Sequence, residues 1–249
     1  MVGRVWMGML AVAAMACLGT ATPARAAFND RPGDFDYYSL VLSWSPTFCQ
    51  SDGGSHSDDP QCSSRRPYAF VLHGLWPQFD KGWPESCDIG KRPFVPRQLI
   101  NAMLDIMPSD KLVIHEYAKH GTCSGLDPTA YFGLARQLYS SIAIPQRYNG
   151  TSSETTVAIR DVVSDFRKAN PALRPDMIAV SCNRDGRLRE ITFCFSKSGQ
   201  PAHCGRNEDP ARMCRASSVS LPPVRGGGAS PRSWVPQRWF DLLSPHPGR

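Results

Sequence analysis

The sequence predicts an α+β fold, a single disulfide-stabilised domain with a central antiparallel sheet and helices packed around it. Three observations lead there. Strand candidates stand towards both ends of the chain, with helical candidates grouped between them. Beyond an N-terminal leader, about 223 residues remain, enough for one domain with a substantial core. The cysteines outside that leader are even in number, eight of the 9 in the chain, as a set of disulfides requires.

The elements follow in order. Arg4, an apolar run from Val5 to Leu18 and then Ala24-Arg25-Ala26 read as a secretory signal peptide over residues 1–26, cut before Ala27. The run is too short and wrongly flanked to span a bilayer, so a soluble product is expected. Cys17 is set aside as a lipidation site because the residue three before it, Ala14, is small rather than leucine. Phe35 to Trp44, rich in aromatic and aliphatic residues with partial alternation, predicts the first strand. Gln50 to Arg66, with its Ser, Gly and Asp, predicts a loop. Tyr68-Ala69-Phe70-Val71-Leu72 predicts a short strand whose end delivers His73.

Pro96 opens a helix over 97–106 with the apolar stripe Leu99, Ile100, Met103 and Leu104, and Pro108 ends it. Asp127 caps a helix over 128–142 with Tyr131, Leu134, Ala135 and Leu138 inward. Residues 154–169 read as a further helix, against the strand preference of their threonines and valines. Residues 177–182 and 188–195 predict paired strands joined by the turn Asn183-Arg184-Asp185-Gly186. Past Cys214 the composition shifts to Pro, Gly and Ser. Residues 221–224 read as an edge segment, and 225–249 as a loose tail carrying Trp234, Trp239 and Phe240. Asn149-Gly150-Thr151 fits a glycosylation triplet of a kind that arises often by chance.

Charge discriminates little. Without Arg4 and Arg25 the basic residues fall from 28 to 26 against 22 acidic ones, a net of +4 that suits a polyanionic partner without requiring one. Cysteine usage says more. Cys49, Cys62, Cys87, Cys123, Cys182, Cys194, Cys204 and Cys214 behind a signal peptide imply disulfides and an oxidising compartment, so a secreted or periplasmic location is expected. Composition leaves their pairing open, and the absence of a C-x-x-C spacing disfavours a metal site.

The chemistry concentrates in His115-Glu116-Tyr117-Ala118-Lys119-His120-Gly121-Thr122-Cys123 and, upstream, in His73-Gly74-Leu75-Trp76-Pro77. At about 100° per residue, His115, Glu116, Lys119 and His120 share an arc of about 140° on a helix, with Tyr117 and Ala118 pointing elsewhere. Gly121 reads as the left-handed residue just past the helix end. The helix dipole would then favour a protonated His120 on the last turn. Most charge clusters are solvated helix faces. Here an imidazole pair, in a chain with 6 histidines, is flanked by Leu112, Val113 and Ile114 and followed by Cys123, which favours a functional site. The zinc signature His-Glu-x-x-His places its histidines four apart, whereas His115 and His120 are five apart and no other segment supplies a third ligand. No metal or cofactor is expected. His56, His203 and His246 lack partners in the sequence and read as surface residues.

These two segments, in this order, resemble the catalytic segments of the ribonuclease T2 family, in particular its bacterial secreted or periplasmic type, similar to ribonuclease I. Leu40-Val41-Leu42-Ser43-Trp44, Gly82-Trp83-Pro84 before Cys87 and the cysteine-rich C-terminal third add to the likeness, which runs from about Phe35 to Val224. The resemblance implies a catalytic domain over residues 27–224 and the pairs Cys49–Cys62, Cys87–Cys123, Cys182–Cys214 and Cys194–Cys204. It also implies a metal-independent endoribonuclease of low base specificity, acting on single-stranded RNA through a 2′,3′-cyclic phosphate. A monomer is expected. His120 would be the base, His73 the acid and His115 a phosphate ligand. Lys119 would offset charge on the non-bridging oxygens and Glu116 would tune its neighbours. Trp76 and Trp44 are candidate stacking platforms for bases. The rival reading is a non-catalytic secreted RNA-binding protein on the same scaffold. The chain departs from the family at Tyr117, in place of Trp, at Ser43 and Ser45, in place of Gln and Pro, and at Gln78, where an acidic residue is common. No base preference follows.

Overall fold

The structure, a computed structural model, describes residues 30–51, 58–63, 66–150 and 152–224. The leader, Cys17, His56, Thr151 of the glycosylation triplet, and the tail with Trp234, Trp239, Phe240 and His246 lie outside the described residues.

Strand β1 (Tyr37–Trp44) pairs antiparallel on one side with β2 (Phe70–Gln78) and on the other with β5 (Leu188–Ser196), which in turn pairs with β4 (Ile178–Cys182). The order β2-β1-β5-β4 puts β1 inside the sheet. Because side chains alternate along a strand, Leu40, Leu42 and Trp44 lie on one face with Phe70, Leu72, Ile191 and Phe193 in the main apolar core. Ser39, Val41 and Ser43 lie on the other.

The core face is covered by helices whose apolar stripes match it. These are α3 (Arg97–Met103), α4 (Asp110–Lys119), α5 (Pro128–Ser141) and α6 (Ile159–Ala169), contributing among others Ile100, Val113, Tyr131 and Phe166. Each such buried side chain stabilises the fold by about 1.5–3 kcal/mol. Start signals are satisfied: Ser109 accepts from Leu112 N at the head of α4, and Asp127 from Ala130 N at the head of α5. Arg136 of α5 is buried against Asp105 and also donates to the carbonyl of Ala102, a free acceptor at the end of α3.

Several boundaries differ from expectation. The predicted loop 50–66 contains α2 (Pro60–Ser63), and α1 (Ser45–Gln50) precedes it. Helix α3 stops at Met103, three residues early. The predicted helix 154–169 splits, because its threonine- and valine-rich head is strand β3 (Thr155–Ala158). This strand pairs with β6 (Ser218–Leu221) in a second, two-stranded sheet. The expected edge segment 221–224 therefore lies mostly beyond the strand, since Pro222 and Pro223 have no N–H to donate.

The four disulfides are Cys49–Cys62, Cys87–Cys123, Cys182–Cys214 and Cys194–Cys204, the pairing the resemblance implies. Cys182–Cys214 joins the end of β4 to the end of α7 (Pro210–Met213). Among the described residues no helix is long and apolar enough to cross a membrane.

Candidate active site

The sheet face turned away from the helical core forms the floor of a cleft of about 930 Å³, lined there by Val41, Ser43, Val71, His73, Glu190 and Thr192. One wall is α4 with the turn after it, supplying His115, Glu116, Lys119 and His120.

His73 was expected at a strand end. It lies instead in the middle of β2, at a bulge: Leu42 faces Leu72 and Val41 faces Gly74, leaving His73 as the extra residue. A bulge resets the alternation. Leu72 and Leu75, three apart, both reach the core, while His73 and Trp76 both reach the cleft with ring centroids 5.1 Å apart.

On α4 the predicted face is present. Glu116 is buried, its Oε2 accepting from Trp76 Nε1 at 2.7 Å and its Oε1 lying 3.7 Å from His73 Nε2. Gly74 makes that approach possible, since a Cβ there would lie 2.0 Å from Glu116 Oε2 and 2.4 Å from Trp76 Nε1. Tyr117 points the other way and packs against Tyr131 and Phe132, so the aromatic exchange at this position is a packing matter.

His120 caps the C-terminus of α4, its ring stacked on Trp76 at 5.0 Å between centroids. Its Nδ1 is buried without a hydrogen-bond partner among the described residues. The dipole argument for a protonated His120 fails here. Burial, helped by the charges of Lys119, His73 and His115, pushes its pKa down to about 3, because desolvation outweighs a dipole effect of order 1 kcal/mol. Gly121 is not left-handed either. It opens a 3-10 turn, Gly121–Ser124, that ends at Gly125 with φ 76°, and a Cβ on Gly121 would meet the Tyr117 ring at 2.4 Å.

His73 is displaced in the opposite direction. Burial would lower its pKa, but the hydrogen bond to Glu190 and the charges of Glu116 and Glu190 raise it overall, against Arg189. Burial raises Glu116 to about 7, opposed by His73, Trp76 and Lys119. His115 is exposed, with its pKa lowered by partial burial and by Lys119 and His73. Lys119 lies 3.7 Å from Glu85 in an exposed pair worth at most about 1 kcal/mol, which a phosphate can displace.

One cleft thus holds an imidazole pushed towards its neutral form, a second pushed towards its charged form, a carboxyl whose pKa is raised to about 7 and a lysine side chain. This set can remove one proton, donate another and offset negative charge between them. The model of the Ribonuclease T2 family matches residues 35–204. A ribonuclease of Aeromonas hydrophila is 34% identical over 171 residues, 68% of this chain and 76% of that protein. The chain belongs to the ribonuclease T2 family. Ribonuclease I of Escherichia coli is 28% identical over 229 residues, covering 70% of this chain and 85% of that protein. Among solved structures, RNase NT in complex with 5′-AMP has the same fold at TM-score 0.56 and 22% identity, covering 76% of this chain and 99% of that one. Ribonuclease MC1 from bitter gourd seeds, also at TM-score 0.56 and 22% identity, is covered to 99% by 74% of this chain. The protein is therefore a ribonuclease, with the α+β fold of its family.

All five residues expected to act, His73, His115, Glu116, Lys119 and His120, line the cleft of this T2 ribonuclease, as does Trp76. Trp44 does not, and its expected role as a base platform is corrected. It is fully buried on the core face, edge-on to Phe70, with Nε1 donating to the carbonyl of Pro222. His203 is exposed as expected but lies 3.2 Å from Asp176. Among the described residues no group of three or more His, Cys, Asp or Glu is arranged to hold a metal ion. Sequence reasoning missed Glu190, whose Oε1 is 2.6 Å from His73 Nδ1. Its only signal was a carboxylate in a predicted strand beside the largely apolar run from Ile191 to Phe195. Gln78, at the position where the family often has an acid, instead accepts from Asn207 Nδ2.

Proposed function

We propose that the enzyme cleaves single-stranded RNA by transphosphorylation, with the 2′-hydroxyl as nucleophile and a 2′,3′-cyclic phosphate as first product. His120 takes the 2′-hydroxyl proton and His73 gives a proton to the departing 5′-oxygen. His115 and Lys119 bind the phosphate, with Glu116 beside them as it passes through the crowded five-coordinate state. Because RNA carries its own nucleophile, neither a metal nor a cofactor is required.

The opposite displacement of the two imidazoles carries this reading. A base must hold a lone pair and an acid a proton at the same pH. Burial leaves His120 neutral, its pKa pushed down to about 3, while the carboxylates around His73 favour its charged form. Trp76, half-buried, lines the cleft with Phe48 and Trp83, and its position supports a role in stacking on a base. We further propose a monomer of low base specificity, with residues 1–26 as a signal peptide, 27–224 as the catalytic domain and a secreted or periplasmic destination. The four disulfides support an oxidising compartment.

The test is turnover of a dinucleoside monophosphate by His73→Ala and His120→Ala. Each loses about 100- to 10,000-fold of activity with its circular dichroism unchanged. Near-normal turnover by either variant refutes the assignment.

A further inference from the structure

We infer that Glu190 is a positioning residue for His73, its carboxylate fixing the imidazole so that Nε2–H faces the cleft and pairing with the ring as counter-ion. The inference rests on His73 acting as the acid. Strand β1 runs between β2 and β5, so the two side chains reach towards each other across roughly 10 Å of backbone separation. They meet over its cleft face, where Ser43 is the residue paired with Glu190.

Glu190 Oε1 accepts a hydrogen bond from Nδ1 at 2.6 Å, and this bond decides which nitrogen gives up its proton, because Nδ1–H stays engaged and Nε2 is left to reach the substrate. That nitrogen, Nε2, already points towards Glu116 Oε1 at 3.7 Å. Glu190 is itself held. It is buried, with Oε2 3.2 Å from Arg189 Nε and 3.5 Å from Ser181 Oγ on β4. Its own pKa stays low despite burial, because the bond to His73, the His73 charge and Arg189 outweigh desolvation. Its surroundings therefore hold the carboxyl towards its ionised form.

The titratable groups facing His73 are Glu190 and Arg189 from β5, and Glu116, His115 and His120 from α4 and its cap. Among the described residues, Glu190 alone hydrogen-bonds the ring. Replacing it with glutamine keeps size and an acceptor oxygen but removes the charge, which lowers the pH at which His73 gives up its proton.

The experiment uses the full chain carrying Glu190→Gln. His73 is titrated by NMR, its imidazole signal identified by its loss in His73→Ala. The midpoint is expected to fall by roughly one pH unit or more, as loss of an opposite charge at this distance implies. An unmoved midpoint overturns the inference. Kinetics are then measured on a dinucleoside monophosphate and on a nucleoside 3′-aryl phosphate, whose phenolate departs without needing a proton. On the first substrate kcat falls about 10- to 100-fold and the alkaline limb of its pH profile moves to lower pH, while the aryl ester is cleaved nearly as before. An equal loss on both substrates with the limb unmoved reveals a purely structural effect and overturns the inference. His73→Ala runs alongside: if its own loss does not depend on the leaving group, the acid assignment fails, whereas the titration still reports the Glu190–His73 coupling.

Discussion

Gly74→Ala tests whether the spacing of the two histidine-bearing segments works through one atom-sized gap. The alanine Cβ would sit 2.0 Å from Glu116 Oε2, 2.4 Å from Trp76 Nε1 and 2.9 Å from Glu116 Cδ. That is roughly 1.5 Å inside a normal carbon contact, so the 2.7 Å bond between Trp76 and Glu116 has to open. The displaced groups are side chains, and overpacking of this kind costs about 1–3 kcal/mol, or a fall in Tm of roughly 2–10 °C. Catalysis suffers more. Trp76 stacks on His120 and Glu116 lies beside His73, so both imidazoles are disturbed together. A displacement of about 1 Å typically costs 100-fold in rate, the loss expected in kcat on a dinucleoside monophosphate. The assay pairs that rate with a thermal melt. A folded variant retaining activity within about threefold of wild type refutes the argument that this contact aligns the site.

Three further outcomes follow from the same geometry. Activity against pH is bell-shaped: it falls on the acid side as His120 protonates around its depressed pKa of about 3, and on the alkaline side as His73 loses its proton above the ordinary histidine value of 6.5. The optimum is therefore acidic to neutral, and a stopped-flow pH series showing a flat response from 3 to 8 would contradict it. Replacing Cys87 and Cys123 by serine opens a link of 36 residues anchored just past α4, and denaturant melts should show a loss of about 4 kcal/mol. Arg136→Met leaves the half-buried Asp105 carboxylate without its cation and costs up to about 3 kcal/mol, while Arg136→Met with Asp105→Leu recovers much of it. An equal cost for the single and double variants would show that the pair itself is not the source.

The ionisable face of α4 was legible because its chemistry is local: four groups on an arc need only the helical period to be brought together. Strands β1 and β5 were legible from composition, and β4 from its turn. What escaped reading depends on distant partners. The bulge at His73 arises from pairing with Val41 and Leu42, and only the three-residue spacing of Leu72 and Leu75 hints at it. Strand β3 exists because β6, about 60 residues later, covers it, so its β-branched residues outvote a helical neighbourhood. Trp44 and Trp76 are alike in sequence, and the sheet alone decides that one faces the core and the other the cleft. The same applies to His120: a dipole is visible in a helix, but burial is not, and burial sets its charge. Glu190 lies 117 residues from His73 and meets it across an intervening strand.

The central claim is that the sugar hydroxyl of the substrate is the nucleophile, activated by His120 opposite His73. The most direct measurement offers the enzyme a dinucleoside monophosphate and its 2′-deoxy counterpart side by side and separates the products over time. The account predicts a 2′,3′-cyclic phosphate as first product from the ribose substrate and no cleavage of the deoxy one. Comparable cleavage of both, or a ribose product that never passes through the cyclic form, would contradict it.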